Sequence, residues 1–114
     1  MSRRDPKVRL LHMRDHAEKA VGMAEGHVRE DLDKDEKLKF ALIHLVEVIG
    51  EAASQVPLET REQYPEIPWP QIVGMRHHLV HEYDAVDLNI LWETINRSLP
   101  ELLEKLNKII NELT

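Results

Sequence analysis

Apolar residues recur at intervals of three and four along most of the chain, which is the spacing of one face of an α-helix. A first helix is predicted to begin after Asp5-Pro6, because Asp is a favoured N-cap and Pro is tolerated in the first turn. Polarity rises and the periodicity stops later in the chain, so we expect this helix to end around Glu30 to Asp33. Its apolar face consists of Leu10, Met13, Ala17, Ala20 and Ala24.

A second helix is predicted from about Asp35 to Val56, where Pro57 ends it. The small residues of "GEAAS" at 50–54 would allow another helix to approach this one closely. The predicted core face carries Leu38, Ala41, Leu42, Leu45, Val48, Ile49, Ala52 and Ala53.

The stretch 57–70, "PLETREQYPEIPWP", contains four prolines and is predicted to be an ordered loop with at most one short helical turn at 58–64. A third, shorter helix should run from about Pro70 to the region of His81. A fourth should start at the N-cap Asp87 and continue to the end, with a kink at Pro100 that leaves its apolar seam unbroken. That seam is Leu88, Trp92, Ile95, Leu99, Leu102, Leu106, Ile109 and Leu113, widened by Leu91, Leu103 and Ile110.

These elements predict an all-α fold, an antiparallel bundle of four main helices in a single domain, residues 1–114. Strands are poorly supported, since aromatic residues make up 4% of the chain. Trp69 and Trp92 are expected to be packing anchors. A chain of this length buries a modest fraction of its surface on its own, so a partner subunit would add stability.

The composition excludes several classes of site. The chain has no cysteine, which excludes disulfides and thiolate chemistry. It shows no signal peptide and no apolar run long enough to cross a bilayer, so we expect a soluble, cytoplasmic protein. The net charge of −6 argues against a large non-specific nucleic-acid surface. Six Lys and Arg lie within residues 1–20 against three acids, so a polyanion would be held locally, near the N-terminal arm or near residues 74–84.

The stretch "GMRHHLVHEYD" at 74–84 is not explained by core packing, because it concentrates one Arg, three His and one Tyr. If the third helix includes it, Arg76 and His81 bracket an apolar strip that contains Val73 and Val80. A single chain would leave that strip in water. A second copy packing there would bury it, so a homodimer, or a higher even oligomer, is predicted.

The string from Arg76 to Tyr83 resembles the R-x4-H-x-Y motif of HepT-like toxins in the HEPN family. The segments "HLVEVIGEAA" (44–53), "YPEIPWPQIVGMR" (64–76), "LVHEYDAVD" (79–87) and "LWETINRSLPEL" (91–102) also resemble family sequence, in the same order. The position after the motif Arg is polar in the family, often Asn, and here it is His77.

The resemblance implies a HEPN-like dimeric helical bundle that acts as a metal-independent endoribonuclease without a cofactor. It implies the toxin of a type II/VII-like toxin–antitoxin system, paired with an MntA-type nucleotidyltransferase antitoxin that transfers AMP to the motif tyrosine, Tyr83. Arg76 would bind the phosphate and His81 would move the 2′-hydroxyl proton. Tyr83 would lie in the cleft, and His77 and Glu51 are possible supporting residues.

Other interpretations of these residues remain open. The pairs His77/His81 and His12/His16 have the i, i+4 spacing of metal ligands, but no carboxylate set accompanies them, so no metal site is predicted. His12, His16, His27 and His78 are expected on the surface, and His44 near the core face. Glu47 and Glu51 could hold a motif side chain or could lie on a solvated helix edge. Arg76, His81 and Tyr83 could instead form a polar network in a catalytically idle dimer that serves as scaffold or substrate for a nucleotidyltransferase.

Overall fold

The computed structural model describes residues 5–75, 80–81 and 85–113, and for residues 80, 81 and 85 it describes the backbone alone. Helices account for most of these residues, which confirms the all-α fold class. Three long helical segments form the core of the fold. The first of them packs along the other two.

Helix α1 (Pro6–Ala24) begins where the sequence predicts it. Asp5 is the N-cap, and its Oδ1 accepts a hydrogen bond from the backbone N–H of Lys7 at 2.9 Å. The predicted end near residues 30–33 is wrong, because the helix stops at Ala24. Gly26 then turns the chain with a φ of +80°, a left-handed conformation that glycine adopts at no steric cost.

A short helix α2 (Asp31–Lys34) follows and overlaps the range predicted for the end of the first helix. Its Leu32 is buried in the core, although it belongs to a separate helix. The Asp31 carboxylate accepts from the Val28 N–H at 3.0 Å and from His27 Nδ1 at 2.9 Å. The Val28 hydrogen bond first, and the His27 hydrogen bond next, lower the pKa of Asp31 below its ordinary value of 3.8.

Helix α3 (Glu36–Ser54) is capped by Asp35, whose Oδ1 accepts from the Leu38 N–H at 3.1 Å. Six of the eight predicted core positions are buried, and Ala41 and Val48 are half-buried. Val46, which was not predicted, is fully buried. The expectation for His44 is wrong: it is exposed, because it lies on the face of α3 opposite the core.

The proline-rich stretch contains one short helix, α4 (Leu58–Gln63), as predicted. Its Arg61 donates from Nε to the Val56 carbonyl at 3.0 Å and from Nη2 to the Ser54 carbonyl at 3.1 Å, which satisfies carbonyls at the end of α3. Helix α5 (Trp69–Val73) comes next and packs on α3.

The predicted third main helix, from about Pro70 to the region of His81, is wrong at two places among the described residues: it is interrupted at Gly74, and it does not include Val80 and His81. Helix α5 ends at Gly74, whose N–H bonds to the Pro70 carbonyl at 3.0 Å. Val80 and His81 form an extended segment, β1, which pairs antiparallel with β2 (Ala85–Val86), in the register Val80 with Val86 and His81 with Ala85. β-Branched residues in both segments favour extended backbone. A helical wheel therefore cannot relate Arg76 to His81, and the apolar strip that combined Val73 with Val80 loses its basis.

The C-terminal helical segment has three parts: α6 (Leu88–Glu93), a π-helical turn (Thr94–Ser98) and α7 (Leu99–Leu113). Asp87 is its N-cap, as predicted, and Oδ1 accepts from the N–H groups of Asn89 and Ile90 at 2.9 and 3.1 Å. Just before Pro100 the helix has one wide turn, in which the Leu99 N–H bonds to the Thr94 carbonyl, and the predicted kink at Pro100 stays a prediction.

The buried stripe of this segment differs in part from the predicted seam. The wide turn rotates the first part of the helix relative to the second, so Leu91 replaces Leu88 and Trp92 as the fully buried position. Leu88 and Trp92 are half-buried against the core, and Leu113 is 42% exposed. The fully or nearly fully buried positions are Leu91, Ile95, Leu99, Leu102, Leu106, Ile109 and Ile110.

Among the described residues, none of the helices is both long enough and apolar enough to span a bilayer.

Candidate functional site

The motif singled out in the sequence lies mostly outside the described residues. Arg76, His77 and Tyr83 fall in 76–79 and 82–84, and for His81 the structure gives the backbone in β1 but not the side chain. The described residues therefore give no side-chain distances among Arg76, His81 and Tyr83. The described residues on either side do define how the motif-bearing segment, residues 76–86, is attached to the bundle.

The upstream attachment is helix α5, which is fixed from two sides. Trp69 is buried, and its indole Nε1–H donates to the carbonyls of Arg61 at 3.1 Å and Tyr64 at 3.0 Å. Gly50 of α3 admits α5 at close range, since a Cβ at position 50 would lie 3.3 Å from the Ile72 carbonyl oxygen. This confirms the close helix approach predicted from the small residues at 50–54. The segment therefore leaves a rigid base at the buried Met75.

The downstream attachment is the start of α6. The Asp87 cap orders its first turn, and Val86 packs partly against the core. Arg29, from the turn before α2, donates from Nε to Asn89 Oδ1 at 2.6 Å and from Nη1 to Asp33 Oδ2 at 3.1 Å. Its guanidinium thus joins two parts of the chain that lie 60 residues apart. Periodicity gives no signal of this contact, and the sequence analysis missed it.

A cleft of about 490 Å³ lies on the outer face of α3 beside the end of α5. Glu51 is exposed there, and its Oε2 accepts from Gln55 Nε2 at 3.1 Å. Carboxylates in such a position can accept hydrogen bonds from a guanidinium. One of its lining residues, Val73, is three residues before Arg76 in the sequence. It is lined by His44, Glu47, Val48, Gly50, Glu51, Ser54 and Val73.

A second cleft of about 530 Å³ separates α5 from the C-terminal helical segment. Its lining includes the apolar residues Ile72 and Leu102, and also Thr94 and Ser98 of the π-helical turn. Met75 and Asn89, which flank the motif-bearing segment, both line it. The two ends of that segment therefore meet around one concave surface.

No cluster of three or more His, Asp or Glu side chains in the described ranges could hold a metal ion. His12 and His27 are exposed and His16 is half-buried, which places these three on the surface as predicted. In the His12/His16 pair, His16 Nδ1 lies 2.8 Å from the His12 carbonyl oxygen and must donate to it, because a carbonyl can only accept. That bond occupies one of the two ring nitrogens of His16. His78 lies outside the described residues.

Comparison with known proteins adds information that the geometry lacks. Residues 13–109 match the profile of the family described as "Ribonuclease HepT-like". The chain is 37% identical over 107 residues to "Putative RNase TTE0752" of Caldanaerobacter subterraneus subsp. tengcongensis, covering 94% of this chain and 96% of that one.

Two archaeal relatives agree. "Putative RNase MJ1216" of Methanocaldococcus jannaschii is 33% identical over 113 residues, covering 99% of this chain and 93% of that one. "Probable ribonuclease HepT" of Thermococcus cleftensis is 40% identical over 80 residues, covering 70% of this chain and 73% of that one. No solved structure matches the chain.

Proposed function

The chain belongs to the HepT-like ribonuclease family, and on that premise we propose that it is a metal-independent endoribonuclease. The observation that carries the proposal is the extent of the family match, which runs over residues 13–109 and includes the whole R-x4-H-x-Y motif from Arg76 to Tyr83. The three relatives described above carry the names of ribonucleases. We assign the cytoplasm as its place of action, because its proposed substrate is cellular RNA.

In the proposed reaction, His81 accepts the proton of a ribose 2′-hydroxyl, and the 2′-oxygen forms a bond to the adjacent phosphorus. The bond from phosphorus to the 5′-oxygen breaks, and that oxygen takes up a proton to leave as a 5′-hydroxyl. The other product ends in a 2′,3′-cyclic phosphate. The Arg76 guanidinium stabilises the extra negative charge on the phosphate oxygens by a bidentate hydrogen bond. His77 and Glu51 are proposed as supporting residues, Glu51 as an acceptor for a motif side chain.

The attachments of the motif-bearing segment support this assignment. A catalytic constellation must be held to a fraction of an ångström by its surroundings, and rigid elements do so better than free loops. Upstream the segment starts from α5, which Trp69 and Gly50 fix against its neighbours. Downstream it enters the capped start of α6, where Arg29 contacts Asn89. Between these ends, the backbone of His81 pairs with Ala85.

We further propose that the protein works as a homodimer or a higher even oligomer. The helical strip of Val73 and Val80 no longer supports a dimer, because Val80 is extended. Two other observations do: a chain of this length buries limited surface alone, and Val73 is only half-buried beside an open cleft. A second copy seated over the end of α5 would cover that apolar edge. Light scattering that gives a monomer mass at micromolar concentration would contradict this part of the proposal.

Regulation by an MntA-type nucleotidyltransferase antitoxin completes the proposed toxin–antitoxin role. The Tyr83 hydroxyl would attack the α-phosphorus of ATP, forming a phosphodiester and releasing pyrophosphate. The added AMP brings bulk and one negative charge close in sequence to Arg76, where it would compete with the RNA phosphate for the same cation. Modification is therefore expected to stop cleavage.

The experiment is incubation of the purified protein with total RNA in the presence of a chelator, alongside the variants Arg76→Gln and His81→Ala. Cleavage by the wild type and its loss in both variants is the expected result. An idle dimer that serves as a scaffold or as the substrate of a nucleotidyltransferase would leave RNA intact in every sample while still accepting AMP. Cleavage that requires an added divalent ion would refute metal independence.

A further inference from the structure

Helix α1 differs in charge from the rest of the bundle. It carries Lys7, Arg9, Arg14 and Lys19 against Asp15 and Glu18, a net charge of +2. Helices α2, α3, α4, α6 and α7 each carry a net charge of −1. In a chain whose net charge is −6, any local attraction for a polyanion is therefore expected along α1.

The cations of α1 are not scattered around the helix. Arg9, His12, His16 and Lys19 follow each other at intervals of three and four, so they fall within an arc of about 80° and extend over about 15 Å of helix. We call these four residues the α1 strip. His12 and Lys19 are exposed, and Arg9 and His16 are half-buried. None of the four residues is acidic, so the strip itself contains no carboxylate.

Neither fixed cation of the strip is neutralised within the described part of the chain. The ion pairs found there are Arg14–Asp15, His27–Asp31, Arg29–Asp33 and Arg97–Glu93, and none involves Arg9 or Lys19.

The acids nearest the strip in sequence have other partners or lie on another face of the helix. Asp15 could reach Lys19 one turn away, but its carboxylate bonds to Arg14 at 3.2 Å. Asp5, at the N-terminal end of the strip, accepts the Lys7 N–H as the helix cap. Glu18 lies at least about 100° around the helix from each member of the strip.

One contact links the chain after α1 to the region of the motif. Helix α1 ends at Ala24, a few residues before Arg29 in sequence, and Arg29 bonds to Asn89 just after the motif-bearing segment.

We propose that the α1 strip is a binding surface for the phosphate backbone of single-stranded RNA, with Arg9 and Lys19 each neutralising one phosphate. This inference rests on the proposed ribonuclease function, because it assigns the strip to the same RNA. It needs no base-specific contact, since phosphate contacts act on any sequence. The exposed Lys19 and the half-buried Arg9, which form no ion pair among the described residues, meet that requirement.

The test is the binding of a 2′-O-methyl oligouridine to the wild-type protein over a series of KCl concentrations. This probe keeps the phosphates but blocks the 2′-oxygen, so it stays intact even if the protein is an active nuclease. Each phosphate contact on a single strand makes the slope of log K against log salt more negative by about 0.7. The variant Arg9→Gln/Lys19→Gln should make the slope less negative by about 1.4 and weaken binding about tenfold near physiological salt.

Two controls separate this surface from net charge. Lys34→Gln/Lys37→Gln removes the same charge from exposed positions at the turn between α2 and α3, and it should leave the slope unchanged. Arg9→Lys/Lys19→Arg keeps both charges and should bind like the wild type. Circular dichroism checks that all variants retain their helices.

Equal losses in the two glutamine variants, an unchanged slope in Arg9→Gln/Lys19→Gln, or failure of the wild type to bind the probe would each overturn the inference. If the wild type binds with the expected slope difference but cleaves no natural RNA, the strip stands and the proposed nuclease function fails. Binding and cleavage therefore report on the two proposals separately.

Discussion

The contact between Arg29 and Asn89 yields a prediction whose magnitude follows from its geometry. The Nε–Oδ1 distance of 2.6 Å is short, and the donor is charged, which places such a bond at about 1.5–3 kcal/mol when it is shielded from water. The Arg29 side chain is 27% exposed and Asn89 is exposed, so water competes for both groups. We therefore expect a coupling energy of about 1 kcal/mol.

The assay is a double-mutant cycle of Arg29→Ala and Asn89→Ala, measured by urea unfolding. The matched control is the cycle of Arg29→Ala with Asp33→Ala. That ion pair joins residues four apart on the surface and should couple by no more than about 0.5 kcal/mol. Hydrogen exchange should also become faster at Ala85 and Val86 in both Asn89→Ala and Arg29→Ala, because the start of α6 loses its anchor.

A coupling between Arg29 and Asn89 within the usual additivity error of about 0.3–0.5 kcal/mol would refute this reasoning. So would a larger coupling in the Asp33 cycle than in the Asn89 cycle. In either case Arg29 would not be the residue that fixes the downstream end of the motif-bearing segment.

Three further predictions test the packing, the acid response and the regulation. Gly50→Ala should be less stable than Gly22→Ala by about 1 kcal/mol or more in urea unfolding, because a Cβ meets α5 at position 50 and open space at position 22. Equal stabilities of Gly50→Ala and Gly22→Ala would show that α5 can shift to accept the added Cβ. Asp31 has a lowered pKa, chiefly through the Val28 N–H, so its carboxylate stabilises the fold above pH 3.8 and this contribution is lost as the pH falls through the folded-state pKa. Asp31→Asn should therefore show a shallower loss of stability as the pH falls below 3.8, measured by urea unfolding over a pH series. Tyr83→Phe should gain no AMP from a nucleotidyltransferase partner with ATP and Mg²⁺ in intact-mass analysis, whereas an equal adduct on wild type and variant would exclude Tyr83 as the acceptor.

Local signals in the sequence were reliable where the cause of the structure is itself local. Asp5 and Asp87 cap helices as predicted, since an N-cap needs a side-chain oxygen and the backbone that follows it directly. The small residues at 50–54 predicted the close approach of another helix, because the size of each side chain can be read from the sequence. Most of the core face of α3 was predicted from its apolar period, which is also a local property of the sequence.

The errors fall where distant parts of the chain decide the structure. Leu32 fits the apolar period of α1 but belongs to a separate short helix, and only the turn at Gly26 separates the two. The residues after Val73 also suit a helix, yet Val80 and His81 pair with the chain that returns to Asp87. Periodicity cannot predict such pairing, because its partners are chosen by tertiary structure.

The candidate site came from the resemblance of 76–83 to a family motif and not from spacing. Spacing supplied the helical wheel that joined Arg76 to His81, and the extended backbone at His81 contradicts that wheel. Membership of the HepT-like family is confirmed by the match over residues 13–109. The roles of Arg76, His81 and Tyr83 remain predictions.

The central claim is that this chain cleaves RNA by attack of the neighbouring 2′-hydroxyl, with His81 as the proton acceptor. Mass spectrometry of the fragments from a defined RNA, cleaved in the presence of a chelator, tests it most directly. The account predicts a 2′,3′-cyclic phosphate, or the monophosphate formed by its hydrolysis, on one product and a 5′-hydroxyl on the other, with no fragments from His81→Ala. Fragments that carry a 5′-phosphate, or the same fragments from His81→Ala, would contradict it.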